Sequence, residues 1–196
     1  MTIAIGDFNG DNHSDVAICR NNDRTMGVFI GYGNGSFEKQ KKSFSGGGYN
    51  ANYMIFSDFN ADGKQDMIVS YEVRNFFKVF LGHGDGTFSE KARFSFGLSG
   101  ISGEVTKDFN RDGYLDIATV INSPYSVVIF FGDGNGQFQN YTISFKEDSH
   151  RTYSISAGDF NDDGYEDIII THSNSYSFDI FLNTGQCNFN TNISIP

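Results

Sequence analysis

Apolar residues fall in short runs separated by clusters of Asp, Asn, Gly and Ser, and the runs are of two kinds. Some are apolar at consecutive positions: Val16–Cys19, Met67–Ser70, Ile117–Ile121 and Ile168–Thr171, then Val28–Ile30, Val79–Leu81, Val127–Phe131 and Ile180–Leu182. Runs this short, without a polar face, predict strands buried on both sides. Others alternate with polar residues, as at Ala92, Phe94 and Phe96 or at Tyr141, Ile143 and Phe145. These predict strands with one wet face. A further strand, such as Tyr153–Gly158, runs into an Asp-rich cluster. No segment carries a capped helical stripe, so the chain is expected to be all-β.

The runs recur in register. Asp7-Phe-Asn-Gly-Asp, Asp58-Phe-Asn-Ala-Asp, Asp108-Phe-Asn-Arg-Asp and Asp159-Phe-Asn-Asp-Asp follow one another at spacings of 51, 50 and 51. A second string keeps the same step: Gly33-Asn-Gly-Ser-Phe37, Gly84-Asp-Gly-Thr-Phe88, Gly134-Asn-Gly-Gln-Phe138 and a degraded Gly185-Gln-Cys-Asn-Phe189. Two markers in one register mean one unit repeated four times. The repeats are placed at about 1–44, 45–96, 97–145 and 146–196. Four short strands per repeat, with buried middle strands, predict a β-propeller of four-stranded antiparallel blades. Kelch repeats have a similar period, but this chain has no Trp and no double Gly in each repeat.

Composition sharpens this. Of the 24 acidic residues 18 are Asp, against 14 Lys+Arg, for a net charge of −10. Asp favours turns and hard-cation sites where Glu favours helix. No basic run exceeds Lys39–Lys42, which argues against nucleic acid, and no apolar stretch is long enough to insert this segment in a bilayer. Two cysteines, Cys19 and Cys187, are too few for a disulfide framework. The four histidines hold unrelated repeat positions, and no nucleophile stands with a base and an orienting acid, so an enzyme is not expected.

The Asp clusters are the candidate chemistry. Numbering each loop from its first Asp, oxygen side chains stand at positions 1, 3, 5 and 9. They are Asp7, Asn9, Asp11 and Asp15; Asp58, Asn60, Asp62 and Asp66; Asp108, Asn110, Asp112 and Asp116; Asp159, Asn161, Asp163 and Asp167. Position 7, with His13, Lys64, Tyr114 and Tyr165, is expected to offer only its backbone carbonyl. Alternate side-chain oxygens closed by a carboxylate suit Ca²⁺, which takes six to eight oxygens. Position 6 is Gly63, Gly113 and Gly164 but Asn12 in the first loop, which is therefore expected to bind most weakly. Asp162, an extra acid at position 4, is expected to face solvent. An EF-hand is excluded, because its position 12 needs Glu and these loops have Ile18, Val69, Thr119 and Ile170. Up to four Ca²⁺ are expected. They would supply +8 and leave a net charge of about −2.

The string D-F-N-x-D-G-x-x-D, followed by two apolar strands and G-x-G-x-F, resembles the FG-GAP/VCBS repeat of integrin-α-like β-propellers. The resemblance covers nearly the whole chain. It implies blades whose first and second strands are joined by a Ca²⁺ loop, in rings usually of seven blades. Four repeats are then part of a larger propeller, with a closed four-bladed ring as the alternative. It also implies a non-enzymatic recognition or adhesion module of an extracellular or cell-surface protein, binding a protein ligand. This segment shows no signal peptide, and the chain is expected to be a fragment. A lectin-like, glycan-binding propeller is the alternative, and a Ca²⁺-dependent polysaccharide-processing module is weaker still.

Overall fold

The computed structural model describes residues 2–20, 25–39, 42–45, 51–71, 76–95, 99–123, 125–144, 152–173, 177–185 and 188–195. Their regular elements are strands, with no helix among them. β1 (Thr2–Gly6), β2 (Asp15–Arg20), β3 (Thr25–Phe29) and β4 (Lys42–Ser45) form one antiparallel sheet in chain order. β5 (Tyr53–Ser57), β6 (Asp66–Tyr71), β7 (Phe76–Gly82) and β8 (Phe88–Ser95) form the second. β9 (Ser99–Lys107), β10 (Asp116–Ser123), β11 (Tyr125–Gly132) and β12 (Phe138–Ser144) form the third. β13 (Thr152–Gly158), β14 (Asp167–His172), β15 (Phe178–Asn183) and β16 (Phe189–Ile195) form the fourth.

The chain divides into two compact units, Met1–Gly97 and Leu98–Pro196, each holding two of these blade-like sheets. The middle strands are buried as their unbroken apolar runs require: every residue of β6 is buried, and Ile117–Ile121 of β10 likewise. β8 alternates between exposed and half-buried positions, as a strand with one wet face should. Ile30 lies just past the end of β3, while Phe96, Phe145 and Cys187 fall outside the described residues. Cys19 is a buried thiol in no disulfide.

Within each unit one sheet lies face to face on the next. In the first unit Phe8, Ala17, Val28 and Ile30 of the first sheet are covered by Met54, Phe56 and Phe88 of the second. The Phe8 ring sits 4.5 Å from Phe56 and 5.9 Å from Phe88. The second unit repeats the contact with Phe109, Ala118 and Ile129 against Ile155, Ala157 and Phe189. Phe109 is 6.4 Å from Phe189, edge to face. Phe8 and Phe109, each at position 2 of its Asp loop, are thus core residues that anchor one sheet to the next.

Candidate metal-binding loops

Each Asp loop joins the first and second strands of its sheet. It is closed by the last ladder pair, in which the residue before position 1 faces position 9: Gly6 and Asp15, Ser57 and Asp66, Lys107 and Asp116, Gly158 and Asp167. Inside the loop the side-chain oxygens fold onto the backbone. The position 1 carboxylate accepts the N–H of position 6 through Oδ2, at 2.9 Å from Asn12, 2.7 Å from Gly63, 2.9 Å from Gly113 and 2.7 Å from Gly164. Its Oδ1 accepts the N–H of position 5, which the Asn at position 3 also accepts. Position 5 in turn accepts the N–H of position 7 at 2.8–2.9 Å. In three loops the position 3 amide donates to the position 5 carboxylate: Asn9 to Asp11, Asn110 to Asp112 and Asn161 to Asp163.

This nest of turns needs two left-handed residues. Position 6 was expected among them, with φ of 63° at Asn12 and 80–89° at Gly63, Gly113 and Gly164. Position 4 is the other: Gly10 at 77°, Ala61 at 57°, Arg111 at 62° and Asp162 at 59°. The first loop therefore keeps one glycine like the rest, moved from position 6 to position 4. The Asp162 side chain is exposed. Ala61 has a Cβ in a region that costs an L-residue about 1–2 kcal/mol. Ala61→Gly is expected to raise stability by about 0.5 kcal/mol after the added chain entropy of glycine, measured by urea unfolding.

Position 9 behaves differently from the other three. Asp15, Asp66, Asp116 and Asp167 are each fully buried. One oxygen accepts the N–H of position 2, at 2.8 Å from Phe8, 3.0 Å from Phe59, 2.9 Å from Phe109 and 2.9 Å from Phe160. The other accepts an N–H 16 residues on, at the end of the third strand: Gly31 at 2.7 Å, Gly82 and Gly132 at 2.9 Å, Asn183 at 2.8 Å. The carboxylate thus ties the loop to the rim of its sheet. A Cβ on Gly31, Gly82 or Gly132 would lie 2.1–2.3 Å from the carbonyl oxygen of position 8, so these glycines are required. The fourth repeat has Asn183 there instead. Its Nδ2 donates to that same carbonyl, of Glu166, at 3.3 Å and to Phe109 O of the preceding sheet at 2.9 Å. A clash has become two hydrogen bonds.

The electrostatics follow from burial and proximity. Burial pushes Asp116 up to about 6, helped by the Asp112 and Asp108 charges and opposed by the Gly132 and Phe109 N–H groups. Asp66 is raised for the same reasons, with Asp62 and Asp58 as its neighbours. Exposed Asp11 is lowered, first by the Asn9 amide and then by the His13 N–H. Position 7 side chains also have a place: a Cβ on Gly33, Gly84, Gly134 or Gly185 would meet His13, Lys64, Tyr114 or Tyr165. That contact, besides positive φ, is why the second turn opens on glycine.

The chain matches the model of the FG-GAP-like repeat over residues 7–69, 58–119 and 108–170. The chain belongs to the FG-GAP-like repeat family. Each matched segment runs from one Asp loop into the second strand of the following repeat. The FG-GAP-like chain is also similar to a crystal structure of a functionally unknown protein from Desulfotomaculum acetoxidans DSM 771. The TM-score is 0.57 at 16% identity over 87% of this chain, which spans 50% of that one. A search of curated proteins gave no match.

Do the residues fit a hard cation? Among the described residues no three His, Cys, Asp or Glu side chains are gathered to ligate one ion. Their oxygens instead rest on backbone N–H groups. The donor set itself fits: each FG-GAP-like loop offers three carboxylates, one amide oxygen and a position 7 carbonyl, all hard ligands. An ionised carboxylate accepts about four hydrogen bonds or their equivalents, so one bonded to N–H groups keeps lone pairs to share. The Asn at position 3 lowers the ligand charge and already partners the position 5 carboxylate in three loops. Both features weaken an ion's hold.

Proposed function

We propose that this chain is a calcium-stabilised recognition module whose four sheets are blades of a propeller, belonging to an extracellular or cell-surface protein. The observation that carries the calcium reading is the gathering of three carboxylates on one short loop: burial raises Asp66 and Asp116, and the charges of Asp62 and Asp58, or of Asp112 and Asp108, add to that rise. A divalent cation relieves that repulsion. Asp at positions 1, 5 and 9 and Asn at position 3 would hold it with side-chain oxygens, and position 7 with its carbonyl. The position 9 carboxylate keeps its two backbone N–H partners and so couples the ion to the rim of the sheet.

A Kd of about 10⁻⁴–10⁻³ M is expected, the range of extracellular modules and far above cytosolic calcium. The recognition role rests on the family: repeats of this kind offer loop surfaces for a protein ligand. Isothermal titration with CaCl₂ tests the site. Binding of up to four ions per chain in that affinity range, abolished by Asp→Asn changes at position 5, is the expected result. A flat titration at millimolar calcium would sink the reading.

A further inference from the structure

In the second unit the third and fourth Asp loops are joined through buried groups. Asp116, at position 9 of the third loop, accepts the Phe109 N–H at 2.9 Å. The carbonyl of the same Phe109 accepts Asn183 Nδ2 at 2.9 Å, and the Asn183 N–H donates to Asp167, position 9 of the fourth loop, at 2.8 Å. Asp116, Phe109, Asn183 and Asp167 are each fully buried. One path of hydrogen bonds thus runs between the two closing carboxylates, through the Phe109 backbone and Asn183. Asn183 Nδ2 also reaches Glu166 O, at position 8 of the fourth loop, at 3.3 Å.

Two more side chains join the loops beside that path. Lys107, directly before position 1 of the third loop, pairs with the Glu166 carboxylate at 2.9 Å. Arg111, at position 4 of the third loop, lays its guanidinium over the ring of Tyr165, position 7 of the fourth, 4.2 Å from its centre. In the first unit Gly6, Gly10 and Gly82 stand at the places of Lys107, Arg111 and Asn183, so no side chain can make these three links there. Phe8 O, the counterpart of Phe109 O, accepts the Gly86 N–H of the second turn instead, at 2.9 Å.

We propose that the third and fourth loops take up divalent cations as a coupled pair, with Asn183 as the positioning residue that couples them. This rests on the calcium reading above and adds to it a dependence of one site on the other. With the third loop filled, Asp116 is held in place, and the Phe109 backbone with it. Phe109 O then fixes the Asn183 amide, whose N–H and Nδ2 brace positions 9 and 8 of the fourth loop. The fourth loop therefore meets its ion with the closing carboxylate already placed. Repulsion between two ions opposes this, but salt screens charges on exposed loops. Coupling through such a contiguous network is expected at the low end of the usual range, about five-fold, and acts equally in both directions.

Isothermal titration of the full chain with CaCl₂ tests this, in a background where Asp11→Asn and Asp62→Asn silence the first two loops. Adding Asp163→Asn or Asp112→Asn leaves the third or the fourth loop alone and gives each its own association constant. With both loops intact, the product of the two constants should exceed the product of the single-loop constants about five-fold. Asn183→Gly, the residue type of the other three repeats, and Asn183→Ala, which keeps the Cβ, should each bring that ratio to about one. An Asn183 that only supports the fold would lower stability in these variants and leave the ratio alone. A ratio of about one with Asn183 in place, or a ratio that both variants leave unchanged, would overturn the inference while the calcium reading stands. No binding at millimolar calcium would overturn both.

Discussion

Asp116→Ala is expected to lower the melting temperature of the chain by about 10 °C, even in chelator. Asp116 is fully buried, and its two oxygens hold the Phe109 and Gly132 N–H groups at 2.9 Å. Alanine leaves both donors buried without a partner, at about 1–3 kcal/mol each. Burial of the carboxylate is itself costly, as its rise to about 6 shows, and losing the charge returns part of the penalty. A net loss of about 3 kcal/mol remains, and a chain of this size shifts by about 2–4 °C per kcal/mol. Asp112→Ala, at an exposed position of the same loop, should shift melting in chelator by only about 2 °C. Equal shifts from the two variants, read by calorimetry, would mean that position 9 has no bracing role.

Phe109→Ala should cost about 3–5 kcal/mol, while Phe160→Ala, the same repeat position, should cost under about 1 kcal/mol in dilute solution. The reason is burial. Phe109 is 0% exposed in a cluster with Ile155, Ile168 and Phe181, and Phe160 is 48% exposed. The sequence D-F-N is identical in both loops. Identical residues at identical repeat positions therefore differ several-fold in energetic weight, because Phe109 is packed in a core cluster and Phe160 is half exposed. Urea unfolding of both variants decides it, and comparable losses would contradict the packing described.

That pair shows where sequence reading stops. The strands were legible because unbroken apolar runs such as Met67–Ser70 and alternating ones such as Ala92, Phe94 have distinct periods. The repeat was legible because Asp, Asn and Gly are tied to backbone geometry that each copy must reproduce. The double role of position 9 was not, since its second partner lies 16 residues away and the donor is a backbone N–H with no side-chain signature. Gly31, Gly82 and Gly132 did carry a signal, recurring at 51 and 50, but their reason is a carbonyl about 2 Å from the missing Cβ. Position 4 was hidden by Ala61 and Arg111, residues that seldom adopt positive φ; Gly10 and, more weakly, Asp162 hinted at it. The varied position 7 residues suggested an indifferent side chain, yet each lies against the first glycine of the second turn.

The calcium reading is tested most directly by melting. At about ten times Kd each ion adds about 1.4 kcal/mol, so four ions should raise the melting temperature of the wild-type chain by about 10–20 °C over its value in EDTA. A variant with Asp11, Asp62, Asp112 and Asp163 all changed to Asn should melt alike with and without calcium. Coincident wild-type melts in millimolar CaCl₂ and in EDTA would contradict the account and leave the four loops as turns held by their own hydrogen bonds.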